Sequence, residues 1–183
     1  ISLVDDDYYY FTAEDHTEAF IVAAAADLEA KLKFYRFSTA LVGSYASTPT
    51  GPLALVKTSN YFRTSGMYHH EADTKFPEVA AIAEIAFAVT GTVTYANRIV
   101  AGVSASLNGD GNALTKTQQN NLKTVNGDFF ARVGSFSTDP TIIVIGKTAS
   151  GEWIDNIVTR DNLKIDLEAE YTNFFIRLKA SKA

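Results

Sequence analysis

The sequence contains no cysteine, which excludes disulfide bonds and metal sites built on thiolates. It also lacks a basic excess, because 16 Lys and Arg stand against 21 Asp and Glu, for a net charge of -5. Proteins that bind nucleic acid through its phosphates normally carry a basic surface, so we do not expect that class. Long apolar runs are missing too. The longest candidate, 19–30, is shorter than the roughly 20 residues of a membrane span and contains Asp27 and Glu29.

The remaining composition is that of a globular protein. Hydrophobic residues make up 46% and charged residues 20% of the chain, which argues against wholesale disorder. A chain of 183 residues fits one domain, which would bury about two-thirds of its unfolded surface. Twelve Phe and nine Tyr predict a large core, an aromatic-rich interface, or both. We therefore expect a single domain over residues 1–183.

The first forty residues predict a βαβ unit. The aromatic run "DYYYF", 7–11, is typical of a strand, and "LKFYRF", 32–37, of a second one. Between them, apolar residues repeat at helical spacing, with Thr12 as the predicted N-cap and an end near Leu32. This order favours an α/β fold with a mixed sheet flanked by helices, although an α+β fold is also compatible with it.

The middle of the chain alternates short periodic segments with turns. Pro77 stands where a helix tolerates proline, in its first turn, and Thr115 precedes a polar helix that it can cap. The predicted segments are a loop at 43–52, a helix at 53–60, a strand with a Ser-Gly irregularity at 61–70, a deeply buried helix at 76–89, extended chain at 91–106, a helix at 116–125, and strands at 128–134 and 141–146, the last buried on both faces.

The stretch "TIIVIGKTASGEWIDN", 141–156, contains a Gly-Lys-Thr that could end a phosphate-binding loop. Such a loop needs a glycine where Thr141 stands and a helix directly after Thr148. Neither requirement is met, because the chain continues with Ala-Ser-Gly and then a β-prone segment. We therefore interpret 141–158 as a hairpin that turns at "KTASG".

The last predicted helix covers about 161–179 and has one apolar face. Lys164 and Glu168 form an (i, i+4) pair on another side. Such a helix packs on a sheet or on a neighbouring chain. The face consists of Leu163, Leu167, Tyr171, Phe174 and Leu178.

The sequence shows no constellation typical of catalysis or metal binding. Adjacent His69 and His70 would point to opposite faces of a strand, so we interpret them as strand-end residues near the surface. The acidic run 5–7 is expected to be solvated, and "NGDGN", 108–112, to be a tight turn and not a calcium loop. No serine lies in a Gly-x-Ser-x-Gly motif. We expect no catalytic residue, no cofactor and no metal.

A family resemblance lies in the order of several short blocks. "DYYYF", a helix, "KFYRFST", "YFRTSGMYH", "FPEVAAIAEIAF", "TVNGDFF" and "GKTASGEWIDNIVTRDNL" follow one another as in the tail sheath proteins of contractile-tailed bacteriophages, which this chain resembles. The last block is the most specific. The positions that match the family there are Gly146, Ser150, Gly151, Trp153, Ile154, Asp155, Asp161 and Leu163.

The resemblance implies a mechanical function. Sheath subunits polymerise around a tail tube in an extended state and contract on a baseplate signal, which drives the tube through the host envelope. The partners implied are other copies of the chain, the tube protein, the baseplate and the tail terminator, with neither nucleic acid nor membrane insertion. The implied location is the virion, after assembly in the bacterial host cytoplasm.

Members of this family are longer than 183 residues. The resemblance therefore implies that this chain is the sheath core domain of a longer protein, without the family's N-terminal segment and C-terminal region. Strand exchange between neighbouring subunits uses terminal arms in that family. The chain matches none of those arms.

Several residues keep two interpretations. Trp153 either supports the hairpin or belongs to a subunit contact, and Asp155 either orients the hairpin locally, which we favour, or pairs with a neighbouring subunit. Four basic residues of the last helix either contact the tube or a neighbour or form a solvated face: Arg160, Lys164, Arg177 and Lys179. Two other functions stay open, a sheath of a related contractile injection system and, from another class, a small α/β hydrolase or nucleotide-binding domain.

Overall fold

The computed structural model of the chain describes residues 8–86, 94–134, 136 and 139–180, with side chains up to Phe174. These residues form six α-helices around a six-stranded mixed sheet that curls as a half-barrel, which confirms the predicted α/β class. The helices are α1 (Glu18–Ala30), α2 (Pro52–Thr58), α3 (Ala72–Lys75), α4 (Pro77–Ala86), α5 (Lys116–Thr124) and α6 (Ile154–Ala180). The strands are β1 (Tyr10–Phe11), β2 (Phe34–Thr39), β3 (Thr64–Tyr68), β4 (Ile99–Val100), β5 (Asp128–Arg132) and β6 (Thr141–Val144).

The sheet has the order β1-β2-β3-β5-β6-β4. Neighbours from β1 to β5 pair in parallel, whereas β6 runs antiparallel to both β5 and β4. The parallel pair of β1 and β2, joined by α1, confirms the predicted βαβ unit. Each edge of the sheet is therefore a strand of only two residues.

Both faces of the sheet carry a core, because successive side chains of a strand point to opposite faces. Tyr35 and Phe37 of β2 pack on one face with Leu28 of α1. Phe34 of β2 packs on the other face with Ile85 of α4 and Ile154 of α6. The chain from β6 into α6 thus passes along the second face, where its first turn is anchored.

The start of α1 differs from the prediction. The helix begins at Glu18, with Thr17 as N-cap, and not after Thr12. The end of α1 lies close to the predicted end near Leu32, since Lys31 is the C-cap. Leu32 has a φ of 54°, a left-handed conformation that ends a right-handed helix. The following strand, β2, begins at Phe34, two residues later than predicted, because residues 31–33 form the turn after α1.

Three predictions about burial and regularity were wrong. Gly66 does not interrupt β3: it pairs in register with Phe37, and a Cβ there would meet the Phe37 and Leu53 side chains. Helix α4 buries one face only, since Val79 is 50% exposed, and residues 87–89 lie outside the described ones. Strand β6 alternates buried and half-buried residues, so only one of its faces is fully buried.

The segment from 94 to 115 is mostly turns, with only β4 extended in the sheet, so the extended chain predicted for 91–106 is confirmed in part. Residues 91–93 lie outside the described residues.

The loop predicted at 43–52 contains a 3-10 helix, Val42–Tyr45. Thr115 caps α5 as predicted, and the structure adds a reciprocal hydrogen bond, since Gln118 accepts from the Thr115 amide.

Candidate assembly surface

The turn after β6 is held by glycine and by a buried carboxylate. Ile145 and Gly146 both have positive φ, 93° and 72°. A Cβ on Gly146 would lie 2.8 Å from the backbone nitrogen of Ala96, so this position requires glycine. The Gly146 amide donates to Asp128 Oδ1 at 2.8 Å, which fixes the strained turn to β5.

Residues 147–153 form the predicted tight turn. Lys147 and Trp153 pair as an antiparallel bridge, and the Thr148 amide donates to the Glu152 carbonyl at 2.9 Å. Gly151, at φ 92°, closes the turn, and the Thr148 and Ser150 hydroxyls lie 2.9 Å apart. This part of the predicted hairpin is confirmed.

The second arm of the predicted hairpin was wrong. Helix α6 begins at Ile154, where "EWIDNIV" was expected to be a strand, and not near residue 161. Ile154, Ile157 and Val158 are all buried, at the i, i+3, i+4 spacing of a helix. Their burial against the second face of the sheet outweighs the β propensity of the segment.

The geometry of a phosphate-binding loop is not present in this stretch. Thr141 begins β6, and α6 does not follow Thr148 directly, since the turn up to Trp153 intervenes. The ammonium group of Lys147 lies over the Trp153 ring, 4.9 Å from its centroid. Trp153 is 44% exposed, so it supports the turn while it remains available at the surface.

Asp155 acts over a long distance in sequence. Its Oδ1 accepts the backbone amide of Tyr95 at 2.9 Å, 60 residues away, so it does not orient the hairpin itself as predicted. The contact fastens the 94–98 turn to the start of α6. Burial raises the pKa of Asp155, and the Tyr95 amide opposes this effect.

Asp161 ties α6 to two other parts of the domain. Arg63 donates to both its oxygens, from Nε at 2.6 Å and from Nη2 at 3.0 Å, and the Tyr9 hydroxyl donates at 3.1 Å. Glu29 of α1 accepts the Phe62 and Arg63 amides at 2.9 and 2.8 Å. The pKa of Arg63 is raised, chiefly by its hydrogen bonds to Asp161. Asp161 therefore fixes the direction in which α6 leaves the sheet.

Beyond Asp161, α6 projects from the domain. The helix has 27 residues and is about 40 Å long. Every side chain from Leu163 to Phe174 is exposed, so of the two covers expected for the apolar face, a sheet or a neighbouring chain, this chain's own sheet does not provide one. A cover by a neighbouring chain stays a prediction. The exposed apolar stripe consists of Leu163 (58%), Leu167 (61%), Tyr171 (65%) and Phe174 (57%).

The basic residues predicted on this helix divide into two groups. Arg160 and Lys164 have side chains 55% and 52% exposed beside the stripe, where Arg160 lies 3.5 Å from Asp161 and Lys164 lies 3.8 Å from Glu168. The second distance confirms the predicted (i, i+4) pair. The side chains of Arg177 and Lys179 lie outside the described ones.

A second surface feature lies at the β1 edge of the sheet. A groove of about 410 Å³ opens beside this strand, between it and the end of α1. Its walls are aromatic and aliphatic, with two lysines: Tyr8, Tyr10, Phe11, Thr12, Leu28, Lys31 and Lys33. Since β1 pairs only with β2 in the described sheet, its outer edge is open to a further strand.

A buried polar group at the centre of the second face was missed from the sequence. Arg36 and Asp128 form a fully buried ion pair at 2.8 Å, and the Arg36 guanidinium lies 4.6 Å from the Tyr95 ring centroid. Arg36 also donates to Ser65, whose hydroxyl donates to the Lys147 carbonyl. Complete burial raises the pKa of Asp128, opposed by Arg36 and backbone amides. The sequence signal for this buried ion pair is that each charged residue stands within a run of aromatic residues, Arg36 in "FYRF" and Asp128 in "DFF".

The histidine prediction was also wrong in part. His69 is 1% exposed and so does not lie near the surface. Both histidines follow the end of β3, and their ring centroids lie 4.6 Å apart. Its Nδ1 accepts the Glu71 amide, so Nε2 carries the proton and donates to the Ser104 carbonyl. The Ser104 hydroxyl thus faces an N–H and not a base, although it is only 3.3 Å away. Burial lowers the pKa of His69.

The turn at 108–112 and the other potential metal ligands were also considered as sites in the sequence. Asn108 accepts the Asp110 and Asn112 amides, which confirms the tight turn at 108–112. No group of three or more potential metal ligands occurs within the described ranges. The acidic run 5–7 lies outside them. No described helix combines the length and apolarity of a membrane span.

No protein-family model matches this sequence, and no curated protein is significantly similar to it.

Proposed function

We propose that this chain is the core domain of a sheath subunit in a contractile phage tail. In this proposal it polymerises around the tail tube and contracts to drive the tube through the host envelope. The observation that carries the proposal is the exposed apolar stripe on α6, Leu163 to Phe174. A stripe of this length calls for a covering partner, because Leu163 and Leu167 lie mostly in water.

The turn and junction before the stripe support the same proposal. Gly146, Gly151, Asp155 and Asp161, all positions of the family resemblance, fix the turn or the base of α6. Their arrangement makes α6 a stiff arm on a stiff domain. A subunit that transmits force through a lattice needs this property.

The open β1 edge suits the assembly mode of the proposed family. A strand from a neighbouring subunit would pair with β1 and place its side chains in the groove lined by Tyr10 and Phe11. The partners proposed are other copies, the tube protein, the baseplate and the tail terminator, in the virion.

The energy for contraction would come from the lattice itself. Two packings of the same folded subunit differ in free energy, a kinetic barrier separates them, and no nucleotide is consumed. A sheath of a related contractile injection system would work in the same way with a different cargo.

Negative-stain electron microscopy of the full-length natural protein tests this proposal. We expect tubes or striated polymers of regular diameter. Discrete small oligomers at every protein and salt concentration would contradict it.

The hydrolase or nucleotide-binding alternative has its own test. Isothermal titration with ATP and Mg²⁺ is expected to show no binding, since Lys147 lies on the Trp153 ring. Micromolar binding that is lost in Lys147→Ala would replace the sheath proposal with a nucleotide enzyme. The matched control is Lys123→Ala, an exposed lysine at the end of α5.

A further inference from the structure

A histidine clamp joins the N-terminal segment to two helices. The His16 ring lies between two carboxylates, with Nε2 2.9 Å from Glu78 Oε1 and Nδ1 3.2 Å from Asp73 Oδ1. The His16 side chain is 5% exposed and that of Glu78 is fully buried. The ring also packs on Phe76, with 5.5 Å between ring centroids.

The clamp connects four elements. His16 belongs to the segment 12–17, which leads from β1 into α1, while Asp73 lies on α3 and Glu78 on α4. The second oxygen of Glu78 accepts the Ser38 hydroxyl of β2 at 2.5 Å. His16 is therefore the group through which this segment docks on the domain.

The contacts define the protonation state of the ring. A neutral imidazole has one N–H donor and one lone pair, whereas the imidazolium ion has two donors. Both ring nitrogens of His16 face carboxylate oxygens, which only accept when ionised. With both carboxylates ionised, only the imidazolium satisfies both contacts, because a neutral ring would set a nitrogen lone pair against a carboxylate.

We propose that segment 12–17 is a proton-dependent latch, docked while His16 is an imidazolium and released from α3 and α4 when it loses its proton. The released segment follows β1 directly and begins with Thr12, which lines the neighbouring groove, so its release alters that groove. This inference does not depend on the proposed function, since it concerns the folded domain alone.

The charges around the ring favour the imidazolium. Asp73 faces it from α3, Glu78 from α4, and Asp15 from its own segment. Tyr35 of β2 and His69 after β3 interact with Glu78, and burial keeps His69 neutral by lowering its pKa. The pKa of His16 is accordingly raised, first by its hydrogen bond to Glu78.

The sign of the pH effect follows from that direction. A group with a raised pKa in the folded state stabilises the docked form fully below its ordinary pKa, about 6.5 for histidine. This stabilisation is lost as the pH rises through the raised value. The latch therefore opens as the pH rises above the ordinary histidine pKa and through the raised one.

Two measurements on the intact chain test the latch. The chain has only three histidines, so NMR titration of the ring protons resolves each of them. Hydrogen exchange of 12–17, corrected for intrinsic rates, is compared at about pH 6 and about pH 9. We expect a His16 pKa above that of free histidine, and protection that falls about tenfold for each pKa unit of the shift.

Variants separate the latch from a general effect of pH. In His16→Gln the protection of 12–17 should be low at both pH values, and in His70→Gln, the matched control, the wild-type pH dependence should remain. Asp73→Asn, at a position 69% exposed, keeps the fold and should shift the loss of protection to lower pH. A His16 pKa at or below the ordinary value, or protection that does not change with pH, would overturn the proposal.

Discussion

The guanidinium of Arg63 holds Asp161 through two hydrogen bonds, of 2.6 and 3.0 Å, and so fastens α6 to the segment before β3. The two residues are 98 positions apart in the chain. Because Asp161 is 1% exposed and lies where α6 leaves the sheet, this pair sets the direction of the exposed part of the helix. The domain and its projecting helix are joined there.

Asp161→Asn should loosen this junction. The substitution removes a charge from a bidentate pair that is only partly open to water, and we expect a loss of about 1.5–3 kcal/mol in the free energy of unfolding. Urea denaturation followed by circular dichroism measures it. The control is Arg160→Gln, which removes an exposed contact to the same carboxylate and should cost less than about 0.5 kcal/mol. Equal losses in both variants would show that Arg63 does not anchor Asp161.

Gly146→Ala should destabilise the domain more than Gly111→Ala. Both glycines have similar positive φ, 72° and 76°, so both variants meet the same backbone strain of about 1–2 kcal/mol. At Gly146 the new methyl group also meets the Ala96 backbone at 2.8 Å, whereas no atom lies within 4 Å at Gly111. We expect an additional loss of about 1–3 kcal/mol at Gly146, measured by thermal or urea unfolding. Similar losses at the two sites would contradict the close contact.

Arg36→Met should produce a pH-dependent loss of stability. The variant leaves Asp128 buried without its cation, and we expect a loss of about 3–5 kcal/mol near neutral pH. The pKa of Asp128, already raised by burial, should rise further without Arg36. A carboxyl group with a raised pKa in the folded state destabilises the fold above its unfolded pKa of about 3.9, so the loss should shrink as the pH falls toward that value. Urea unfolding across the pH range measures the effect, and a loss independent of pH would contradict it.

Tyr95→Phe should leave the stability nearly unchanged. The Tyr95 hydroxyl is buried and, in the part of the chain that the structure describes, has no hydrogen-bond partner, so its removal relieves a desolvation cost. The ring that covers Arg36 remains. Tyr68→Phe is the matched control, because the Tyr68 hydroxyl donates to the Leu107 carbonyl at 2.9 Å and its loss should cost about 1 kcal/mol. A larger loss in Tyr95→Phe than in Tyr68→Phe, in the same unfolding assay, would show that the hydroxyl is satisfied.

Local patterns predicted much of the fold. The aromatic run of β2, the capping signal at Thr115 and the Gly-Asn turn at 108–112 each specify their structure within a few residues, and each was predicted. The start of α6 was missed because tertiary contacts decide it: Ile154 is buried against the sheet, and Asp155 bonds a turn 60 residues away. Local β propensity pointed the other way.

The charged interior could not be predicted from one sequence. Arg36 and Asp128 meet across 92 residues, and His16 and Glu78 across 62. Such pairs depend on strand order, which hydrophobic periodicity does not specify. The helical spacing of the apolar residues on α6 was predicted from the sequence. That spacing does not specify whether the chain's own sheet or a neighbouring chain covers them.

The central claim is that another copy of the chain covers the α6 stripe in the assembled form. Since the chain has no cysteine, single-cysteine variants report directly on accessibility. Leu167→Cys places the probe in the stripe, and Ala169→Cys places it at an exposed position on the opposite side of the same helix. Thiol labelling rates are measured on the full-length protein before and after assembly. We predict that assembly slows labelling at 167 much more than at 169, and equal changes at the two positions would contradict the claim.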